Sequence, residues 1–259
     1  MSTATFPQEL VDKIVESIED DRASLIALSK VNMRWARRSR PYLLSDLAFK
    51  DEQDIIDFSV LLRAPNRTFP PSIRCKELAL YNATTIGDEA PTSVRNVLAS
   101  ITVEGSLKIH VTDGRIPWSI VEASTAWSSV PQLTLLGGGY NLQAFFDYLS
   151  SFTQLESLQL EDFSLMVAEG ATEPTVQLRL PSTLVRLATL RSSGVWTIFH
   201  RLLPAGGFPR IRHLRIRPSS ASRSREFGIW SVTLGGYGVS RPWSSMLSTT
   251  LTPRILIGI

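Results

Sequence analysis

An apolar doublet, in which one residue separates two apolar side chains, recurs at nearly even intervals after residue 70. Its members are Leu78 and Leu80, Leu107 and Ile109, Leu133 and Leu135, Leu158 and Leu160, and Leu214 and Ile216, with Leu187 fitting between the last two. The first members follow one another at steps of 29, 26, 25, 29 and 27 positions. A repeat of this length is typical of solenoids, in which stacked units share one apolar core. The doublets therefore predict a stack of similar units.

Apolar residues also stand three places before most doublets, where a repeat strand needs a further inward side chain. These residues are Cys75, Val130, Leu155, Leu184 and Ile211, with Glu104 as the exception before Leu107. Between the doublets lie helix-like apolar stretches at 94–101, 120–127, 142–149 and 195–202. The pattern resembles leucine-rich repeats, and the resemblance implies parallel strands on one face and an outer layer of helices.

The chain departs from the leucine-rich pattern in two ways. The inward asparagine that normally follows each doublet is replaced, so the backbone amides at the strand ends need other partners. The residues at that position are Ala83, Thr112, Gly138, Phe163 and Ser219. The doublet that begins at Leu187 continues with Thr189, and Leu190 comes one place late. This shift predicts a bulge or a slipped strand there.

If the doublets point inward, the residues beside and between them lie on the opposite face of each strand, because strand side chains alternate. We expect a protein partner to bind this face, which becomes basic toward the C-terminus. The candidate partner-binding residues are Tyr81, Lys108, His110, Gln159, Glu161, His213, Arg215 and Arg217, accompanied by Glu77 and Gln132. The same pattern also fits strand positions that are merely in contact with water.

The first fifty residues carry a different, helical pattern. Apolar side chains at Leu10, Val11, Ile14, Val15 and Ile18 have the three-and-four spacing of an amphipathic helix. A second helix is expected after the acidic pair at 20–21, and a third is expected to begin with Asn32 as its cap. By periodicity alone, these helices could bury their apolar residues in a core of their own.

The order of residues in this segment resembles the F-box of fungal proteins. The matching parts are Phe6-Pro7-Gln8-Glu9-Leu10, Ile14, the run from Ser24 to Val31, Trp35, and the run from Arg40 to Leu44. Phe6 and Leu44 depart from the usual leucine and phenylalanine. The resemblance implies a three-helix unit that binds a Skp-type adaptor and, through it, a cullin-based ubiquitin ligase. The implied adaptor-binding residues are Pro7, Leu10, Ile14, Leu25, Val31 and Trp35, although Trp35 could instead belong to the interior.

Composition and motifs argue against several other classes of protein. The chain is 43% hydrophobic and 20% charged, so it can bury a core, and no apolar run reaches the ~18 residues of a membrane span. The single cysteine, Cys75, excludes an internal disulfide and fits a buried apolar position. Gly137-Gly138-Gly139 lacks a phosphate-loop fingerprint, and His110, His200 and His213 lack metal-ligand spacing. We therefore expect no catalytic residues, no metal and no cofactor.

The sequence thus predicts an α/β fold, with a short three-helix F-box followed by a leucine-rich-repeat-like solenoid that has a parallel strand face and outer helices. The expected parts are the F-box-like domain at 4–50, a linker at 51–72, the repeats at 73–217, and a serine- and arginine-rich loop with an irregular tail at 218–259. The expected function is substrate recognition for a ubiquitin ligase in the cytoplasm or nucleus. The alternatives are an interaction scaffold without a ubiquitin role and, less favoured at a net charge of +3, a nucleic-acid binder.

Overall fold

Three short helices form the beginning of the chain. A computed structural model describes residues 6–64, 72–83, 86, 90–112, 116–166, 180–192, 211–217 and 230–233, with the backbone alone at 118, 139–143, 165–166, 217 and 230–233. The helices are α1 (Gln8–Ser17), α2 (Arg22–Ser29) and α3 (Met33–Leu43). Asp21 caps α2 by accepting hydrogen bonds from the amides of Ala23 and Ser24, and Asn32 caps α3 in the same way. The predicted starts of the second and third helices are therefore confirmed.

Parallel strands dominate the rest of the described chain. The strands are β1 (Asp46–Phe49), β2 (Ile73–Leu80), β3 (Ile101–His110), β4 (Gln132–Leu136), β5 (Gly139–Asn141), β6 (Ser157–Glu161), β7 (Ser164–Met166), β8 (Arg186–Leu190), β9 (His213–Arg217) and β10 (Trp230–Thr233). All but β5 and β7 form one sheet, in chain order. Seven of its described strands are parallel, β10 pairs antiparallel with β9, and β5 and β7 form a small parallel sheet of their own. The expected α/β stack of parallel strands is thus confirmed.

The predicted doublets lie in register across the main sheet. Leu78, Leu107, Leu133, Leu158, Leu187 and Leu214 form one continuous row of paired residues. A second row consists of Leu80, Ile109, Leu135, Leu160, Thr189 and Ile216. In β2 to β8 the members of both rows are buried, so the doublets form the inner face of a shared core.

Helices supply the second layer of this core. They are α4 (Glu52–Arg63), α5 (Thr92–Ser100), α6 (Trp118–Ala123), followed by a 3₁₀ turn at Ser124–Trp127, and α7 (Leu142–Ser150). The indole of Trp127 is fully buried, and its Nε1 donates a hydrogen bond to the carbonyl of Ile101 at 3.0 Å. Three of the predicted helix-like stretches therefore contribute buried residues, and the fourth, at 195–202, lies outside the described residues.

The expected linker at 51–72 is wrong over most of its length, because residues 52–63 form helix α4. Together with β1, this helix makes one more unit at the start of the stack. Leu47 and Phe49 pair with Leu78 and Leu80 and so act as a further doublet. This unit is concealed in the sequence by the phenylalanine in its second position and by a gap before the next doublet that is wider than any later one.

The bulge expected near Leu187 is also misplaced. Strand β8 pairs with both neighbours without a register shift, and Thr189 occupies the inward doublet position. The described bulge lies instead between β2 and β3, where Cys75 pairs with Val103 but Glu77 pairs with Ser106. The extra residue in β3 explains why Glu104 broke the apolar pattern, since the buried Val103 takes the inward place one position earlier.

Several backbone amides that an inward asparagine would bind have other partners. The amides of Tyr81, Val111, Gly137 and Asp162 each donate to a carbonyl of an adjacent strand, at 2.8 to 2.9 Å. The hydroxyl of Ser192, which stands three residues after Thr189, accepts from the amide of Phe163 and donates to the carbonyl of Leu160. Ser192 thus satisfies some of the backbone groups for which the missing asparagine would be the partner.

The C-terminal region is described only in part. Strand β10 lies within the expected irregular tail and pairs with β9, so that expectation is wrong at 230–233; the rest of 218–259 lies outside the described residues. Among the described helices, none has the length and hydropathy needed to cross a bilayer.

Candidate docking surfaces

The three N-terminal helices have a core that is separate from that of the sheet. Val11, Val15 and Leu25 are its fully buried members, and Trp35 packs against them while half-buried. Arg38 joins α3 to α1, with its Nε 3.2 Å from Asp12 Oδ1 and its Nη2 2.5 Å from Glu16 Oε1. So small a core leaves other apolar side chains of the unit without cover.

Six of these side chains form what we call the helical patch. They are Phe6, Leu10, Ile14, Ile26, Val31 and Met33, with exposures from 36% to 60%. Leu10 and Ile14 are one turn apart on α1 and therefore share a face. Arg34 donates hydrogen bonds to the carbonyl of Phe6 and to Oε1 of Gln8, which holds the start of α1 beside the start of α3.

The residues expected to bind an adaptor divide into two groups. Pro7, Leu10, Ile14 and Val31 are exposed, and the half-buried Trp35 has its ring centroid 6.2 Å from that of Phe6. Leu25 is only 1% exposed, so its side chain belongs to the interior of the unit and is not available to a partner. The cause is its position in α2, where it packs with Val11 and Val15. Sequence reasoning missed Ile26 and Met33, whose exposure no motif indicates.

The helical unit continues into the sheet without an intervening linker. Leu43 packs against the helical core, whereas the next residue, Leu44, belongs to the core under the sheet. The carbonyl of Ser45 accepts hydrogen bonds from the amides of Lys76 and Glu77 at 2.7 and 3.0 Å. This short connection places the end of the helical unit next to the β1 edge of the main sheet.

The side of the main sheet opposite the doublets, which we call the strand face, carries the second set of predicted residues. Two charged pairs occupy its middle part. Lys108 Nζ is 2.5 Å from Glu77 Oε1, and Ser106 donates to the other oxygen of Glu77. Arg191 Nη2 is 2.6 Å from Glu161 Oε1. Lys108 and Glu161, predicted to bind a partner, are thus engaged within the protein.

The other predicted residues of the strand face have varied surroundings. Tyr81 is 45% exposed, Gln132, His213 and Arg215 are exposed, and His110 and Gln159 are half-buried. Gln159 Nε2 lies 3.5 Å from Glu161 Oε2. Arg217 is described by its backbone alone, at the end of β9 in register with Leu190. Sequence reasoning missed Arg186, which β8 places directly opposite His213.

Cys75 has the buried, apolar role that its place before the first doublet predicts. It is 2% exposed, and burial together with the nearby carboxylates of Asp46 and Glu104 raises its pKa to about 12. The thiol is therefore protonated at neutral pH. Across the described residues, no group of three or more His, Cys, Asp or Glu side chains could hold a metal ion.

The chain was compared with protein families, curated proteins and solved structures. No family model matches it, and neither does any curated protein or solved structure. Its function must therefore be inferred from the two surfaces themselves.

Proposed function

We propose that this protein is the substrate-recognition subunit of a Skp-cullin-F-box type ubiquitin ligase. The N-terminal helices bind the Skp-type adaptor through the helical patch, and the leucine-rich-repeat-like strand face binds a target protein. The chain itself carries out no bond chemistry. It raises the local concentration of the target at the site of ubiquitin transfer, which tethering achieves without a catalytic side chain. This role assigns the protein to the cytoplasm or nucleus.

The observation that carries the proposal is the helical patch. Six large apolar side chains remain exposed on this small unit, and all but Met33 stand within the F-box-like segments Phe6 to Leu10, Ile14 and Ser24 to Val31. Several large exposed apolar side chains on one small unit are characteristic of a protein interaction site. Trp35, half-buried beside Phe6, supplies an aromatic anchor at the edge of the patch.

The test is binding to a purified Skp-type adaptor. Wild-type protein should form a complex on size-exclusion chromatography, and Leu10→Asp combined with Ile14→Asp should weaken it at least about tenfold, because two apolar anchors become charged. Val60→Asp is the matched control, since Val60 is 64% exposed on α4 and lies outside the patch. If the wild-type protein does not bind the adaptor, or if the control weakens binding equally, the proposal is wrong.

A second candidate function is an interaction scaffold with no ubiquitin role. Two observations favour it: Leu25 is sealed in the helical core, and Leu44 belongs to the core of the sheet. Both residues stand in the F-box-like segments, yet neither side chain can reach a partner. In this case the strand face would still hold its partner, but the adaptor experiment would give no complex.

A further inference from the structure

Charge is distributed very unevenly along this chain. The part at 174–259 contains twelve arginines and a single acidic residue, Glu226, whereas the part at 1–173 contains fifteen basic and twenty-three acidic side chains. The net charge of +3 thus conceals an acidic first part and a strongly basic last part. Such asymmetry would attract a charged partner to the part of the chain with the opposite charge.

The strand face shows how this asymmetry reaches the surface. On β2 and β3 the charges neutralise one another, through the pair formed by Lys108 and Glu77. On β8 and β9 three exposed residues form what we call the basic strip, namely Arg186, His213 and Arg215. Arg186 pairs in register with His213, and Arg215 is two residues further along β9, so they lie within about 5 to 7 Å of their neighbours.

The basic strip has little internal compensation. Arg186 Nη2 lies 3.9 Å from Glu156 Oε2, and both side chains are at least half exposed. An exposed ion pair of this kind contributes at most about 1 kcal/mol to stability. Within the described part of the chain, neither His213 nor Arg215 forms an ion pair. Against the described residues, the strip therefore retains most of its capacity to bind an anion.

We propose that the basic strip binds a short acidic segment of a partner protein. This inference rests on the proposed function, in which the strand face holds the target, and it specifies the chemical class of the segment held there. Carboxylates of an extended acidic segment would form ion pairs with Arg186 and Arg215. Ala188, which pairs with Arg215, has a small side chain that leaves room for the backbone of the bound segment. Leu190, half-buried two residues beyond Ala188, offers an adjacent apolar contact.

The alternative anionic partner, a nucleic acid, fits less well. Strands β8 and β9 contain no phenylalanine, tyrosine or tryptophan on which bases could stack. The acidic first part of the chain would also repel a long polyanion, whereas a short segment confined to these strands avoids it.

The experiment measures fluorescence anisotropy of a labelled peptide of alternating glutamate and serine, titrated with the full chain at about 50 mM salt. The double variant Arg186→Gln/Arg215→Gln should raise the Kd about tenfold relative to wild type. The matched control is Arg74→Gln/Arg95→Gln, which removes two exposed arginines from outside β8 and β9 and should change the Kd less than about twofold. Because all four side chains are exposed, unchanged thermal melting should verify that both variants fold.

Each result has a defined meaning. No binding of the glutamate peptide by the wild type, tighter binding of an oligouridine of equal length, or equal losses in both double variants would overturn the inference. Adaptor binding is measured on the same proteins and should be unchanged in both double variants. If the adaptor binds and the peptide does not, only the inference fails. If the peptide binds with the expected loss but the adaptor does not bind, the ligase role fails and the basic strip stands.

Discussion

The helical unit and the stacked strands bury apolar side chains to very different extents. In the helical unit Val11, Val15 and Leu25 form a small buried centre, and the helical patch remains in contact with solvent. In the stack the strands from β2 to β8 lie between neighbouring strands, and their doublets are almost completely buried. A single layer of three short helices cannot enclose many large side chains, whereas a stack adds neighbour contacts with every unit. The first region therefore leaves apolar side chains available to a partner, whereas the apolar side chains of the second stabilise the stack.

The largest expected effect sharpens this contrast by shortening one leucine in each region. Leu158 is fully buried in a central strand, so Leu158→Ala should lower the free energy of unfolding by about 2 to 5 kcal/mol, because it leaves a cavity between two neighbouring strands. Leu10→Ala, at a side chain that is 46% exposed, should change it by less than about 1 kcal/mol. Urea unfolding followed by circular dichroism measures both values. Similar losses from the two variants would remove the distinction between the regions.

A smaller effect is expected at the bulge in β3, where the stack departs from regularity. A Cβ on Gly105 would lie 2.5 Å from the carbonyl oxygen of Lys76, a backbone atom that cannot easily move. Gly105→Ala should therefore cost about 1 to 3 kcal/mol in unfolding free energy. Glu104→Ala, next to it on an exposed side chain, is the control and should be nearly neutral. A neutral Gly105→Ala would mean that the bulge accommodates a side chain.

The smallest expected effect concerns pH and the helical unit. The hydrogen bonds from the hydroxyl and amide of Ser24 lower the pKa of Asp21 below its ordinary value of 3.8. Its contribution to stability is thus present above that ordinary value and is lost as the pH falls through the lowered pKa of the folded state. Asp21→Asn keeps a capping oxygen but cannot ionise, so thermal melting should lose part of its dependence on acid below about pH 4. Asp20→Asn, at the exposed neighbouring residue, provides the control, and an equal change in that variant would contradict the assignment.

Much of the strand region could be predicted because its rule is periodic. A doublet that returns at nearly even intervals specifies both the inward face and the register, and the paired rows from Leu78 to Leu214 follow it. The first unit, formed by β1 and α4, was not predicted because Phe49 replaces an aliphatic residue and because the interval from Leu47 to Leu78 is longer than the later intervals. The bulge was predicted in the wrong strand because Leu190 and Glu104 both interrupt the apolar pattern of their repeats, and the sequence does not distinguish the two interruptions. Only pairing between strands shows which break inserts a residue.

The candidate sites were less predictable, because exposure depends on packing between elements. Helical spacing groups Leu10 with Ile14, but it does not reveal that α2 turns Leu25 inward and leaves Ile26 exposed. The pairs Lys108 with Glu77 and Arg191 with Glu161 join residues far apart in the sequence, which only the stacking of units brings together. Only the pairing of β8 with β9 places Arg186 beside the predicted residue His213.

The helical unit passes into the sheet directly from Leu43 to Leu44, so distances along the sheet can be counted from this junction. Because the helical unit runs directly into β1 and neighbouring strands are about 4.8 Å apart, each strand lies at a set distance from that junction along the sheet. Strand β9 is six strands from β1, which corresponds to roughly 29 Å along the sheet. A ligand bound to the basic strip would therefore lie at a set distance from the helical unit. Adding or removing one repeat unit would change that distance by the spacing of one strand.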